Sequence, residues 1–308
     1  MFVVCGEALM DVFAAGETGT GFTLDARIGG SPFNVALGLA RLAQPVGFFG
    51  GVSRGFLGER LLRALHDEGV ATGSVIEVDA PTTLGLVGLD ARGVPSYAFY
   101  GHGGADRQLT PAALSRLPPS ARAFHFGSYT MVVEPVAATL RALVEREHSR
   151  SLIAYDPNIR LNVEPDLSRW RDVLQWMLPH THLLKVSEED LALLYPDQSP
   201  QALGAQWAQQ GVPLVVITRG GDGAWAWTAH AHLAVPSVPT PLIDTVGAGD
   251  TFQAALLTWL AENDALSPAA MRELRSDRLT AALTFASRAA AITCSRRGAD
   301  LPRRMELA

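Results

Sequence analysis

The feature that most constrains this chain is an alternation. Short, unbroken apolar runs recur between longer runs with helical spacing. The strand-like runs are FVVCG at 2–6, VGFFGG at 46–51, AFHFGS at 123–128, SLIAYD at 151–156, HLLKVS at 182–187 and PLVVITRG at 213–220. They are apolar throughout rather than on alternate residues, which suits strands buried on both faces of a parallel sheet. Helical spacing marks 31–43, 55–69, 134–148, 187–195, 200–210, 249–263 and 277–293. This order predicts a doubly wound α/β fold.

Two stretches break the pattern. Thr82 to Gly101 reads as two strands joined by an Asp90-Ala91-Arg92-Gly93 turn. Val12 to Ile28 is also strand-like and rich in glycine. Together they predict a small antiparallel sheet appended to the core as a lid. Two unrelated surface hairpins are the other reading.

Composition narrows the class. The 308 residues are 48% hydrophobic and 18% charged, a folded composition with ample core material. A net charge of −6 gives no support to a nucleic-acid partner, which asks for a basic face. No apolar run is long enough to span a bilayer. The start, MFVVCGEALMDVF, enters a strand at once and lacks the features of a signal peptide. Cys5 and Cys294 alone make neither a disulfide framework nor a metal cluster, so a reducing cytoplasm is expected. His180 and His182 are too weakly spaced to indicate a metal site. The arginine-rich end, SRRGADLPRR, reads as a solvated tail.

The most informative motif is DTVGAGDTF, ahead of a helical run carrying Phe252, Ala255, Leu256, Trp259 and Leu260. A helix N-terminus presents free amides and a favourable dipole to an anion. Gly247, Ala248, Gly249 and the amide of Asp250 thus form a candidate phosphate seat. The Asp250 carboxylate repels a phosphate, but it suits a base that takes a proton from an attacking hydroxyl. An N-cap and a plain turn is the competing reading. No Walker loop GxxxxGK(S/T) occurs, and the third glycine of a dinucleotide fingerprint is missing.

Other motifs fall at predicted strand ends, where open α/β sheets bind ligands. Asp11 follows the first strand, and Gly29, Gly30 and Asn34 open the first helix. Carboxylate, amides and carboxamide together suit the adjacent hydroxyls of a sugar. Asp156, Asn158 and Arg160 lie in YDPNIRLN, where Arg160 is placed to meet a phosphate or the sugar. In LLKVSEED, Ser187 and Asp190 approximate a capping box. In VVITRGGDGAWAW, Gly220 and Gly223 let the backbone approach a ribose or phosphate, or simply make a turn between strands. Each of these carries a structural alternative: a capped helix, an Asp-Pro turn, a helix cap.

As a set, DTVGAGDTFQAAL, GGSPFNVALGLARLA, FYGHGGADRQLT, FHFGSYTMVVEP, DPNIR and KVSEED resemble the PfkB (ribokinase-like) carbohydrate kinases, most closely their fructokinase branch. The resemblance runs from Gly6 to Pro302. It implies a three-layer αβα sandwich with a mostly parallel sheet, a β lid, and one kinase domain over 1–308. It also implies an ATP-dependent sugar kinase using Mg2+ and, in many relatives, a monovalent cation such as K+. Asp250 is then the base, and Gly247, Ala248 and Gly249 the anion hole. Asp11, Gly29, Gly30, Asn34, Asn158 and Arg160 face the sugar. Lys185, Ser187, Thr218, Gly220, Gly223 and Gly298 line the nucleotide side. Asp244 and Val246 match the monovalent-cation positions. The family usually carries Glu where this chain has Asp190, so Asp190, Glu189 or Glu188 serves the magnesium network. The expected reaction is phosphorylation of D-fructose to fructose 6-phosphate. 2-Keto-3-deoxygluconate, ribose or a nucleoside are alternative substrates, His102 and Arg107 keeping the first of these open. An inactive sugar-binding regulator and a nicotinamide dehydrogenase are readings from other classes. A homodimer through the lid is a further expectation of the resemblance.

Overall fold

The computed structural model describes residues 1–89 and 95–307. The chain opens with β1 (Phe2–Cys5), leaves the core through β2 (Leu9–Glu17) and β3 (Phe22–Gly29), and returns through α1 (Ser31–Arg41). β4 (Val46–Phe49), β5 (Gly51–Ser53), α2 (Phe56–Asp67) and β6 (Ile76–Val78) follow. β7 (Leu84–Leu89) and β8 (Pro95–Tyr100) make a second excursion. The core resumes with β9 (Ala123–Gly127), α3 (Val136–Glu147), β10 (Leu152–Asp156), α4 (Leu167–Met177) and β11 (Leu183–Ser187). Next come α5 (Glu188–Leu194), α6 (Pro200–Gln209), β12 (Leu214–Thr218), β13 (Ala224–Trp227) and β14 (His232–Val235). The chain finishes with α7 (Ala248–Glu262), α8 (Pro268–Arg272) and α9 (Ser276–Cys294).

The central sheet has eight strands in the order β14-β13-β12-β11-β10-β9-β1-β4. Strands β4 to β12 in that order pair in parallel, and β13 and β14 close one edge in antiparallel. Because both faces are covered, side chains divide by strand position. Val4, Ala154, Leu183 and Val216 face a core shared with Phe33, Leu39, Leu256 and Leu283 of α1, α7 and α9. Val3, Ile153, Leu184 and Val215 face Leu140, Trp170, Leu191 and Trp207 of α3 to α6. This is the doubly wound three-layer arrangement that unbroken apolar strands require.

The lid is a separate four-stranded sheet, β3-β2-β7-β8. Its two hairpins are each antiparallel, but they join through a parallel β2–β7 pairing. The sheet is therefore mixed, because β2 and β7 both start at the buried core edge and run outward. The Asp90-Ala91-Arg92-Gly93 turn expected between β7 and β8 lies outside the described residues.

Three further details depart from the sequence reading. The run at 46–51 divides at Gly50, and its second half pairs with β6 in a two-stranded sheet. α4 was not anticipated, although Asp166 caps it and Trp170, Val173, Leu174 and Met177 make its buried stripe. The arginine-rich end is docked rather than solvated. Leu301 is buried beside Gly38, Arg303 pairs with Glu68, and Arg304 with Glu262. An apolar anchor flanked by acidic partners holds this segment where charge alone suggested free solvation. Among the described residues no helix is long and apolar enough to cross a membrane.

Candidate active site

The N-termini of α1 and α7 meet above the end of β10. α7 starts at Ala248, with Gly247 as N-cap at φ 78°. That left-handed conformation favours glycine, and a Cβ there meets Ala299 Cβ at 2.6 Å. The Ala248 amide turns back to Thr245 O at 3.2 Å. Among the described residues the amides of Gly247, Gly249 and Asp250 have no acceptor. They are the free donors of the helix N-terminus.

Asp250 is 8% exposed and held from α1. Ser31 Oγ donates to its Oδ1 at 2.6 Å, and Asn34 Nδ2 donates to its Oδ2 at 2.8 Å. Burial pushes the Asp250 carboxyl above the ordinary carboxylate range, opposed by these two donors and by Lys185. The sequence reading assigned Asn34 to the sugar alone. The fold commits its amide nitrogen to Asp250 and adds Ser31, which sequence reasoning missed although it opens α1 directly after the Gly-Gly pair.

Beneath the α7 N-terminus lies a buried ion pair. Lys185 Nζ, from the middle of β11, donates to Asp156 Oδ2, at the end of β10, at 2.6 Å. A Cβ added to Gly249 stands only 3.1 Å from Lys185 Nζ, so the ammonium sits directly against the amide cluster. Burial works against the Lys185 charge, yet Asp156 more than offsets it and raises the pKa above the ordinary lysine value. Asp156 Oδ1 is buried with no hydrogen-bond partner.

On the lid side, Asp11 faces the same site. Burial lifts its carboxyl to about 6, reinforced by Asp250 and opposed by Arg160. Gly29 lacks the Cβ that the Asp11 carboxylate excludes, and Gly30, at φ 105°, leaves only 2.8 Å between a Cβ and Glu7 O. Behind them is a buried carboxyl that the sequence did not flag. Glu7 is pushed up to about 7, chiefly by burial, and Thr130 Oγ1 donates to it at 3.2 Å. Asp106 accepts from Thr83 Oγ1 and, at 2.9 Å, from Tyr129 Oη. The Arg107 guanidinium lies 5.7 Å from the Tyr129 ring centroid and 6.0 Å from that of Phe99. These contacts tie the lid to the core.

The remaining candidates sort by position. Arg160 is exposed and donates to Ile159 O at 2.9 Å. Its charge acts on Glu7, Asp11 and Asp190 together. Asn158, at φ 40°, makes the turn that carries it. Ser187 caps α5 by accepting from Asp190 N at 3.0 Å. Asp190 is buried and its Oδ1 accepts from Ile159 N at 3.1 Å, whereas Glu189 is exposed. Glu188 approaches Arg219 at 4.0 Å. Thr218 ends β12, Gly220 begins the turn to β13, and Gly223 closes it against Val235. Asp244 accepts from Val246 N at 3.1 Å and Gly298 N at 2.8 Å, folding that loop beside the α7 N-terminus. Among the described residues no three His, Cys, Asp or Glu gather as a direct metal site.

Comparison with known proteins points the same way. Residues 1–304 match the pfkB family carbohydrate kinase pattern. A fructokinase of Rhizobium leguminosarum bv. trifolii is 36% identical over 269 residues, covering 87% of this chain and 82% of that protein. The crystal structure of a Xylella fastidiosa fructokinase with bound ATP superposes with a TM-score of 0.86 at 26% identity, covering 99% of this chain and 96% of the other. A double mutant of Vibrio cholerae O395 fructokinase, in a form with fructose, ADP and potassium ion bound, gives 0.84 at 25% identity, over 99% and 96%. With a family match across almost its entire length, the chain belongs to the pfkB carbohydrate kinases.

Proposed function

We propose that this kinase transfers the γ-phosphoryl group of ATP to the primary hydroxyl of D-fructose, giving fructose 6-phosphate and ADP. The observation that carries the chemistry is Asp250, a buried carboxylate fixed by Ser31 and Asn34 at the mouth of a helix whose first amides are free. The choice of sugar is supported by the Rhizobium relative, named a fructokinase, and by the Vibrio protein, which binds fructose and ADP.

In this reading, Asp11, Gly30 and Arg160 hold the sugar hydroxyls, Asn158 shapes the loop, and Asn34 Oδ1 remains for the substrate. Asp250 takes the proton of the attacking hydroxyl. The hydroxyl oxygen bonds to the γ-phosphorus as the bond to the β–γ bridging oxygen breaks, and ADP leaves. The amides of Gly247, Gly249 and Asp250, with Lys185 beside them, receive the charge of the transferring group. The lid excludes water that would otherwise take the sugar's place. Thr218, Gly220 and Gly298 flank the nucleotide.

Mg2+ supplies charge neutralisation on the nucleotide phosphates. The residues fit indirect binding: Asp156 Oδ1 is an orphaned buried acceptor, and Asp190 is turned inward while Glu189 is not. For a monovalent cation, Asp244 and Val246 lie on the folded loop beside the α7 N-terminus, and the Vibrio structure contains potassium. Replacing K+ by choline in the assay lowers kcat if that site is used.

The whole chain acts as one kinase unit with its lid. Phe22 (68% exposed), Leu24 (53%) and Tyr100 (63%) share the lid face opposite Asp11, which suits a homodimer through the lid; sedimentation of Phe22→Ser tests it. ATP supply and the free thiols of Cys5 and Cys294 fit the cytoplasm, checked by cell fractionation. The decisive experiment is ADP release over a panel of fructose, ribose, 2-keto-3-deoxygluconate and nucleosides. Turnover with another sugar but not with fructose removes the fructose assignment.

A further inference from the structure

One lid side chain crosses the cleft. Arg27 pairs with Asp11 across the β2–β3 ladder, so both project from the same face of the lid. From there the guanidinium passes over the Phe13 ring, 5.6 Å from its centroid. Its Nη1 ends 3.2 Å from where a Cβ on Gly298 would stand, so the guanidinium tip lies against the Gly298 backbone. Gly298 belongs to the core. Its amide donates to Asp244 Oδ2, and the next residue, Ala299, packs on Gly247. Arg27 thus spans from Asp11, on the sugar side, to the rim of the α7 amide cluster.

The guanidinium is also available. Its Nε donates to Asp25 Oδ2 at 2.8 Å, and its Nη2 lies 2.6 Å from the same oxygen. Both partners are more than a third exposed, so solvent screens this pair and little holds it. Nη1 has no acceptor among the described residues. In the kinase reading a group passes from a nucleotide on the Gly247 side to a hydroxyl on the Asp11 side, the two ends that Arg27 spans. Lys185 lies under the same amides from within the core. Two cations thus border the α7 N-terminus, Lys185 from within the core and Arg27 from the lid.

We propose that Arg27 is a lid-borne ligand of the transferring phosphoryl group, so that lid closure delivers a catalytic charge as well as excluding water. This rests on the kinase reading above. An arginine fork suits the equatorial oxygens of a phosphoryl group in flight, where charge is spread, better than it suits the bound product. Asp25 parks the guanidinium when the phosphoryl group is absent.

The test compares wild type with Arg27→Ala, Arg27→Lys and Asp25→Asn, each checked for an unchanged melting curve. Arg27→Ala is expected to lower kcat on the order of 10²-fold while the KM for fructose moves less than about threefold. Arg27→Lys recovers part of the loss, and Asp25→Asn keeps kcat within about threefold of wild type. With fructose and Mg2+ present, Arg27→Ala binds ADP with aluminium fluoride more weakly than wild type but binds ADP alone equally well. A kcat within about threefold of wild type for Arg27→Ala, or equal weakening of both ADP complexes, overturns the proposal and leaves Arg27 a closure contact. Wild-type enzyme that releases no ADP with fructose removes the fructose reading on which the proposal rests, an outcome seen before any variant is made.

Discussion

Asn34 Nδ2 lies 2.8 Å from Asp250 Oδ2, joining the first turns of two helices whose sequences are 216 residues apart. Ser31 Oγ makes the matching contact to Oδ1 at 2.6 Å. A carboxylate gripped at both oxygens keeps its direction, and direction is what the base role proposed for Asp250 needs.

The first prediction concerns that grip. Asp250→Asn lowers kcat by about 10²–10⁴-fold, the usual worth of a general base. Ser31→Ala lowers it on the order of 10- to 100-fold, since a hydrogen bond to a charged group is worth about 1.5–3 kcal/mol. The Ser31 contact also holds the Asp250 pKa down against burial. Its removal raises that pKa, so the acid limb of kcat against pH moves to higher pH. A limb that stays in place separates Asp250 from the observed ionisation.

The Lys185–Asp156 pair predicts a stability effect. Lys185→Met leaves the Asp156 carboxylate buried and unpaired, which costs about 3–5 kcal/mol. Replacing both residues by apolar ones of similar size recovers most of that loss but not the activity. Urea denaturation of the single and double variants, beside kcat, separates the two roles.

Glu7 predicts a pH-dependent stability. Its carboxyl is raised from 4.5 to about 7 in the folded chain. Between those values the folded state holds a proton that the unfolded state has released. The contribution of Glu7 is therefore fully present below about 4.5 and is lost as pH rises towards 7, by ~3 kcal/mol in all. Glu7→Gln matches wild type in thermal melts near pH 4.5 and exceeds it at pH 8. A gap that does not widen with pH refutes this.

Asp11 predicts pH dependence in sugar binding. Its carboxyl is raised to about 6, so the form that accepts strongly from hydroxyls fades as pH falls through 6. The KM for fructose rises about tenfold between pH 8 and 5. Asp11→Asn has a higher KM at pH 8 and loses this slope, which distinguishes it from titration of Glu7.

Much of this was legible in the chain itself. Short unbroken runs such as LIAYD and LVVIT, alternating with helical runs, suit strands buried on both faces, so the parallel core followed from that alternation. GAGD before an apolar helix announced free amides at a helix start, because the first backbone amides of a helix lack partners within it whatever the tertiary context. The α4 signal was equally local, in the stripe from Trp170 to Met177, and was passed over among the charged residues around it.

Other features exist only in three dimensions. Nothing near Asp250 in sequence names Ser31 and Asn34 as its partners, because hydrogen bonds between distant segments leave no periodic trace. Lys185 looks like one more strand residue until β10 and β11 align it with Asp156. The docked C-terminus reversed a judgement made from charge, since Leu301 beside Gly38 decides its position. Local rules of propensity and hydrophobicity determined which elements form. Burial, which removes water as a competitor and sets which charges must find one another, decided how they meet at the cleft.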